Sequence, residues 1–154
     1  MSDRKSHREL LESLIRISRK LRTVFNARVT AHGLTYARAR TLLRLAERPL
    51  LNQKQLACEL DLEQPTLARL LDRMEELDLI HRRDVPGDRR AKQIALTEYG
   101  HAQAELVARI GQEIRDEMFA HISAADIKAT IAVLATVEEG ASLMVENRGA
   151  GETV

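Results

Sequence analysis

The N-terminal part of the chain carries a regular apolar stripe. Its members recur at alternating spacings of four and three, which is the period of one face of an α-helix. They are Leu10, Leu14, Ile17, Leu21 and Val24. Further apolar residues on either side widen the stripe. The pattern predicts one long helix over about residues 7–31 that meets partners on both sides.

Capping residues and a proline predict three shorter helices next. Thr35 is a suitable N-cap for the second helix, and Asn52 caps a third with Gln55 at the capping-box position. Pro65 is expected at the first position of a fourth helix, where its missing N–H costs nothing. This helix ends near Asp78. The third and fourth helices are separated by a tight turn, as in a helix-turn-helix pair.

The pattern then changes to that of a β-hairpin. Residues 79–85 and 92–96 read as two short strands, and residues 86–90 form a charged turn between them. Thr97 caps a fifth helix to about residue 120, and Ser123 caps a sixth to about residue 145, before a tail that frays. The predicted fold is mainly α with a small β-hairpin wing, a winged helix-turn-helix flanked by N- and C-terminal helices.

Charge is distributed unevenly although the net charge is only +1. Residues 1–50 carry 12 Lys and Arg against 4 Asp and Glu, whereas residues 98–154 carry 4 against 10. Two interpretations fit equally: the termini lie against each other, or the charges decorate unrelated solvated faces. Aromatic residues make up only 3% of the chain, which argues against base stacking on single-stranded nucleic acid. Without a long apolar segment or a signal core, we expect a cytoplasmic protein.

The candidate chemistry lies on the fourth helix and on the hairpin. In a helix-turn-helix, the second helix enters the DNA major groove with its N-terminal residues toward the base edges. Gln can pair with adenine, Arg with guanine, and Thr with a base or a phosphate. A cationic wing can reach the minor groove. The predicted DNA-binding residues are Gln64, Thr66, Arg69, Arg73, Arg89, Arg90 and Lys92.

Several segments together resemble the MarR family of bacterial regulators, most closely its SlyA branch. They are Leu56-Ala57, the run from Gln64 to Leu77, Leu79-Ile80, Asp88-Arg89-Arg90-Ala91-Lys92 and Leu96-Thr97-Glu98. The likeness is specific over about residues 35–110, and the outer helices match only in length and pattern.

The resemblance implies a homodimer. Residues 1–34 and 98–154 would form the helical dimerisation region and residues 35–97 the DNA-binding module, in one intertwined domain. It also places Arg69 on the base-reading face and Arg90 in the minor groove, and it pairs Asp72 with the wing arginine as wing support. The family commonly has Gly where this chain has Asp61 and Asp78, and both positions are expected to need φ > 0.

A small-molecule site is a further hypothesis from the resemblance. MarR-like proteins often bind aromatic acids where the first helix meets the DNA-binding module. Arg16, His32, Tyr36 and Arg38 could surround such a ligand. A polar cluster that bonds only to backbone and water fits these four residues equally well.

Other site chemistry is not expected. Cys58, the only cysteine, lies in the third helix and is predicted to be a buried, inert thiol. No spacing of His, Cys, Asp or Glu suggests a metal site, and we expect no cofactor. The sequence offers no nucleophile with a base and no phosphate-cradling loop, so an enzyme is not expected.

The expected function is therefore a double-stranded-DNA-binding transcriptional regulator. It would occupy a pseudo-palindromic operator as a repressor that a small aromatic carboxylate or conjugate releases. Two alternatives stay open, an architectural or anti-silencing DNA binder without ligand control and a winged-helix protein-interaction module.

Overall fold

The structure is a computed structural model that describes residues 2–49, 51–85 and 87–149. Within these residues the chain forms six α-helices and one β-hairpin, in the order expected of a winged helix-turn-helix. The elements are α1 (Ser2–Thr30), α2 (Tyr36–Glu47), α3 (Gln53–Leu60), α4 (Gln64–Glu76), β1 (Ile80–Val85), β2 (Asp88–Leu96), α5 (Glu98–Phe119) and α6 (Ala124–Gly149). The predicted fold class is confirmed.

Side-chain caps start the helices where the sequence predicts them. The Arg38 N–H donates to Thr35 Oγ1 over 3.3 Å at the start of α2. At the start of α3, the Gln55 N–H donates to Asn52 Oδ1 over 2.8 Å and the Asn52 N–H donates to Gln55 Oε1 over 2.9 Å. The capping box is confirmed. Because each cap satisfies backbone donors that the helix itself leaves unpaired, it sets the first residue of its helix.

Several boundaries differ from the prediction. Helix α1 begins at Ser2 and not at about residue 7. Helix α4 begins at Gln64, so Pro65 is its second residue and not its first. Helix α6 continues to Gly149, so the backbone that was expected to fray after residue 146 is helical to that point. Strand β2 begins at Asp88, because Gly87 at φ +86° reverses the chain within a shorter turn than predicted.

The position of Cys58 also corrects the prediction, because its side chain is exposed. Successive residues of a helix are about 100° apart. The buried residues of α3 are Leu56, Ala57 and Leu60, and Cys58 projects from the opposite side. A residue next to apolar neighbours in sequence therefore lies on the outer face of this short helix.

The central core lies between α2, α3, α4 and the hairpin. Its fully buried large side chains include Leu42, Leu45, Leu56, Leu67, Leu71, Met74, Ile80 and Ile94. The Ile94 N–H donates to the Leu51 carbonyl over 3.0 Å, and Asn52 forms a bridge with Gln93. The segment before α3 thus pairs with β2 and holds the hairpin against the helices.

The chain divides by its internal contacts into two compact units, Met1–Arg115 and Asp116–Val154. The first unit contains the helix-turn-helix pair and the hairpin, and the second contains the end of α5 and all of α6. No single described helix is long and apolar enough to cross a membrane, and α5 and α6 reach that threshold only when they are counted together.

Two aspartates have left-handed backbone conformations. Asp61, after α3, has φ +54°, and Asp78, after α4, has φ +56°. The expectation of positive φ at both positions is confirmed. Asparagine and aspartate adopt this region more readily than other non-glycine residues, so the chain can turn away after both helices without glycine.

The backbone just after α4 lies very close to the first turn of α5. The Thr97 hydroxyl donates to the Asp78 carbonyl over 2.5 Å and accepts the Gly100 N–H over 2.9 Å. A Cβ atom built on Gly100 would lie 1.9 Å from the Leu79 carbonyl oxygen, which is far inside van der Waals contact. Glycine is therefore required at this point for α5 to pack against the end of the helix-turn-helix.

We predict that Gly100→Ala destabilises the protein by about 3 kcal/mol, because backbone must move to admit the methyl group. In thermal unfolding at fixed protein concentration, this corresponds to a fall in Tm of about 10 °C. Gly111→Ala is the matched control in the same helix, since its Cβ would meet only the end of Arg115 at 3.4 Å. The control should leave Tm unchanged or raise it. Equal effects of the two substitutions would contradict the prediction.

Candidate nucleic-acid interface

Helix α4 has a buried face and an exposed face. Its buried residues are Leu67, Leu71 and Met74. Thr66, Arg69 and Arg73 follow one another at spacings of three and four, so they share the opposite face of the helix, and all three are exposed. The packing of the apolar side chains therefore directs the predicted base-reading residues outward.

The two arginines on this face differ in their partners. Arg73 Nη1 lies 2.6 Å from Glu76 Oε2, so its charge is paired within the helix. Arg69 forms no hydrogen bond or ion pair with any residue that the structure describes, and Gln64 near it at the start of α4 is also exposed. The guanidinium of Arg69 is thus available to an external acceptor, whereas that of Arg73 must leave Glu76 first.

The hairpin places a further cation beside an acid. In the antiparallel register, Asp84 is opposite Lys92, and the Lys92 ammonium group is hydrogen bonded to the Asp84 carboxylate. The backbones of Arg89 and Arg90 belong to β2, but their side chains lie outside the described residues. Their predicted DNA contacts therefore stay predictions.

A cluster of three charged side chains joins the hairpin to α4. Arg82 Nη2 lies 2.5 Å from Asp72 Oδ1, and Arg82 Nη1 is hydrogen bonded to Glu75 Oε2. The backbone N–H of Arg82 also donates to Glu75 Oε1 over 3.2 Å. Asp72 is thus paired with an arginine of strand β1, and not, among the described side chains, with an arginine near the hairpin turn.

Sequence reasoning missed Arg82 and Glu75. The available signal was the pair of acids at positions 72 and 75, which share a helix face because they are three residues apart. Two acids beside an otherwise basic helix face are expected to pair with a cation from another element of the fold. The choice between Arg82 and Arg83 depends on which face of β1 each occupies, and only the strand register decides that.

The four predicted ligand residues are not brought together. Tyr36 lines a cavity of about 320 Å³ that also includes Arg22, Arg40 and the turn between α3 and α4. Arg16 lines a different groove on α1, and neither His32 nor Arg38 borders the cavity. Arg16 lies in the middle of α1, His32 in the turn after α1, and Tyr36 and Arg38 in the first turn of α2, so these residues do not form a common site.

The Tyr36 ring has a cationic and aromatic environment. Its centroid lies 4.7 Å from the guanidinium carbon of Arg22 and 5.7 Å from that of Arg40. The ring of Phe25 meets it edge-on, with 5.8 Å between centroids. A cavity with one aromatic wall and two guanidinium groups is suited to a small planar anion.

No group of three or more His, Cys, Asp or Glu side chains that could hold a metal ion occurs in the described part of the chain. The exposed groups on α4 instead have the chemistry of base recognition. An arginine can donate two hydrogen bonds to guanine, a glutamine can pair with adenine, and a B-DNA major groove about 12 Å wide admits one helix.

Comparison with known proteins finds matches to this arrangement of helices and hairpin. The MarR family model matches residues 34–92. The structure of transcriptional regulator PA3341 is 32% identical, covers 86% of this chain and 98% of its own, and superposes with a TM-score of 0.79.

Two further structures are similar. Staphylococcus aureus MarR in complex with salicylate and kanamycin is 25% identical, with coverage of 86% of this chain and 90% of that chain and a TM-score of 0.78. The Staphylococcus aureus MepR–DNA complex is 24% identical, with coverage of 82% and 93% and a TM-score of 0.73. At its lower identity, the MepR structure shows a shared fold alone.

Proposed function

The chain belongs to the MarR family of transcriptional regulators, and from that premise we propose that it binds a pseudo-palindromic DNA operator as a homodimer and represses transcription. The observation that carries this proposal is the exposed face of α4. Arg69 lies there without a partner among the described residues, between exposed Thr66 and Arg73. A surface arginine held outward by a packed helix is ready to bind a base edge without rearrangement.

In this proposal, α4 enters the major groove and the hairpin follows the adjacent backbone. Gln64, Thr66 and Arg69 read bases from the N-terminal half of the helix, and Arg73 contacts phosphate. Arg89, Arg90 and Lys92 on the hairpin supply affinity and a preference for narrow minor grooves. Lys92 would contact a phosphate in place of Asp84, and the counterions that this phosphate releases would favour the exchange.

Unpartnered apolar side chains support the homodimer. Those of α1 are between 38% and 54% exposed, namely Leu10, Leu11, Ile15, Ile17, Leu21 and Val24. In α6, Ile131, Val133, Leu143, Met144 and Val145 are between 54% and 73% exposed. Apolar stripes of this extent are typical of surfaces that a second chain covers. Two copies would then present two α4 helices to half-sites about 10 base pairs apart.

We place this regulator in the cytoplasm, where it acts on DNA without enzymatic activity or a cofactor. An architectural or anti-silencing DNA binder is the nearest alternative, because the same paired modules can hold DNA with little sequence preference. A winged-helix protein-interaction module is the second alternative. The exposed arginines on α4 favour a DNA-binding function over a protein-interaction module.

Selection of bound genomic fragments is the direct test. The purified full-length protein is mixed with fragments of its source genome at about 0.15 M salt, a concentration that suppresses weak phosphate-only binding. We expect the recovered sequences to share two inverted half-sites about one helical turn apart. Fragments without a common motif would favour the architectural role. Recovery of no DNA at all would contradict DNA binding and favour the protein-interaction module.

The proposal also predicts a division of labour between α4 and the hairpin. Arg69→Ala should weaken binding to the selected duplex by about 10–100-fold and relax the preference at particular base pairs. Arg90→Ala should weaken binding to selected and random duplexes by similar factors. Fluorescence anisotropy with both duplexes measures each affinity. Equal losses on both duplexes for both variants would contradict this division.

Ligand control is the finer part of the proposal. We propose that a small aromatic carboxylate occupies the cavity at Tyr36, with its ring against the tyrosine and its carboxylate between Arg22 and Arg40. Asp61 and Leu62, which line the same cavity, belong to the short turn between α3 and α4. A ligand there can release DNA only if it binds the non-DNA-binding arrangement more tightly.

Calorimetry with salicylate and related aromatic acids tests the cavity. We expect binding at up to millimolar concentration, and Arg40→Gln should weaken it at least about fivefold, since a charge-assisted hydrogen bond is lost. Arg16→Gln removes the same charge from a different groove and should leave the affinity unchanged. Absence of binding across the panel, or equal effects of the two substitutions, would contradict the assigned site.

A further inference from the structure

One threonine side chain connects the end of α4 with the start of α5. The Thr97 hydroxyl donates to the Asp78 carbonyl over 2.5 Å and accepts the Gly100 N–H over 2.9 Å. A hydroxyl has one donor hydrogen and can also accept, so it can form both bonds at once. The Thr97 backbone N–H donates to the Leu79 carbonyl over 3.2 Å. We call Asp78, Leu79, Thr97 and Gly100 the α4–α5 junction.

The α4 side of the junction is fixed to its helix. The Asp78 N–H donates to the Glu75 carbonyl over 3.0 Å, and the Leu79 N–H donates to the Met74 carbonyl over 2.9 Å. These two bonds form the Schellman arrangement that ends a helix on a left-handed residue, here Asp78 at φ +56°. The two carbonyl groups that Thr97 contacts are therefore held in place by the last turn of α4.

The α5 side of the junction leaves no space for adjustment. A Cβ atom on Gly100 would lie 1.9 Å from the Leu79 carbonyl oxygen, so backbone meets backbone without an intervening side chain. A side chain can absorb a displacement by changing its rotamer, but a backbone contact cannot. The buried face of α5 continues from this point with Ala104, Val107 and Ile110. A displacement of α5 at its first turn is thus passed on to α4.

Helix α5 is connected in turn to the proposed dimer surface. Arg28 Nη1 of α1 lies 3.8 Å from Glu113 Oε2 of α5, within the same compact unit. Helix α1 carries exposed apolar side chains that a second copy would cover. The α4–α5 junction is therefore one link between the reading helix and the surface through which two copies would associate.

We infer that the α4–α5 junction fixes the separation of the two α4 helices in the homodimer, and that it thereby determines the half-site spacing that the protein accepts. This inference rests on the proposed function and assigns Thr97 as a positioning residue for spacing. One extra base pair moves a half-site by about 3.4 Å along the duplex and by about 35° around it. A rigid junction cannot follow this movement, whereas a loosened junction can follow part of it.

Substitutions at Thr97 separate its two hydrogen bonds. Thr97→Val removes the hydroxyl and both of its bonds at nearly constant volume. Thr97→Asp keeps an acceptor for the Gly100 N–H and is a good N-cap, but an ionised carboxylate cannot donate to the Asp78 carbonyl. Thr97→Ser keeps the hydroxyl and should behave as wild type. Thr35→Val is the matched control, because it removes a capping hydroxyl from α2 and leaves the junction intact.

The experiment measures binding of the full-length protein, by fluorescence anisotropy, to duplexes that carry the half-sites from the genomic selection. The selected spacing is compared with spacings one base pair shorter and one base pair longer. We expect wild type, Thr97→Ser and Thr35→Val to discriminate alike between these spacings. In Thr97→Val and Thr97→Asp, the ratio of affinities for selected and altered spacings should fall by about 3–10-fold, the scale of one or two lost hydrogen bonds.

The ratio distinguishes positioning from general stabilisation, because a merely structural role would weaken binding at every spacing by the same factor. An unchanged ratio in Thr97→Asp would overturn the inference, and so would an equal fall in Thr35→Val. Thermal unfolding shows whether each variant is folded at the assay temperature, and Thr97→Asp, which keeps the α5 cap, decides the test if Thr97→Val is unfolded. If the wild-type protein binds no duplex, or binds all spacings alike, the proposed function fails instead.

Discussion

The burial of one face of α4 is the constraint on which the interface depends. Leu67, Leu71 and Met74 pack into the core and fix the rotation of the helix. Because a helix turns about 100° per residue, this burial directs Arg69 and Thr66 outward. The buried apolar side chains thereby decide which polar side chains are exposed. A change in core packing would rotate the reading face as a whole.

Charge pairing then divides the polar residues of the module into two groups. Arg82 is satisfied by the acids of α4, and Lys92 by Asp84. Arg69 has no such partner in the described part of the chain. Internal pairing stabilises the relative positions of helix and hairpin, while an unpaired arginine keeps its hydrogen-bonding capacity for another molecule. A net charge near zero is thus compatible with a locally basic surface.

The differences between prediction and structure share a cause. Cys58 is exposed although its neighbours Ala57 and Leu60 are buried, because α3 is short and only one of its faces meets the core. The ligand residues inferred from family resemblance separate into different surfaces, and Arg22 and Arg40 take their place around Tyr36. In each case the relative placement of helices decided the outcome, and residues adjacent in sequence did not share an environment.

The amino-acid sequence by itself determined the order of elements, the capping box at Asn52, the left-handed Asp61 and Asp78, and the class of fold. These features depend on side chains within a few residues, whose backbone preferences act locally. Only the tertiary structure decided that Arg82 pairs with Asp72 and that Gly100 must lie against the Leu79 carbonyl. Such contacts depend on strand register and helix packing, which are set by the burial of the whole core and not by any local pattern.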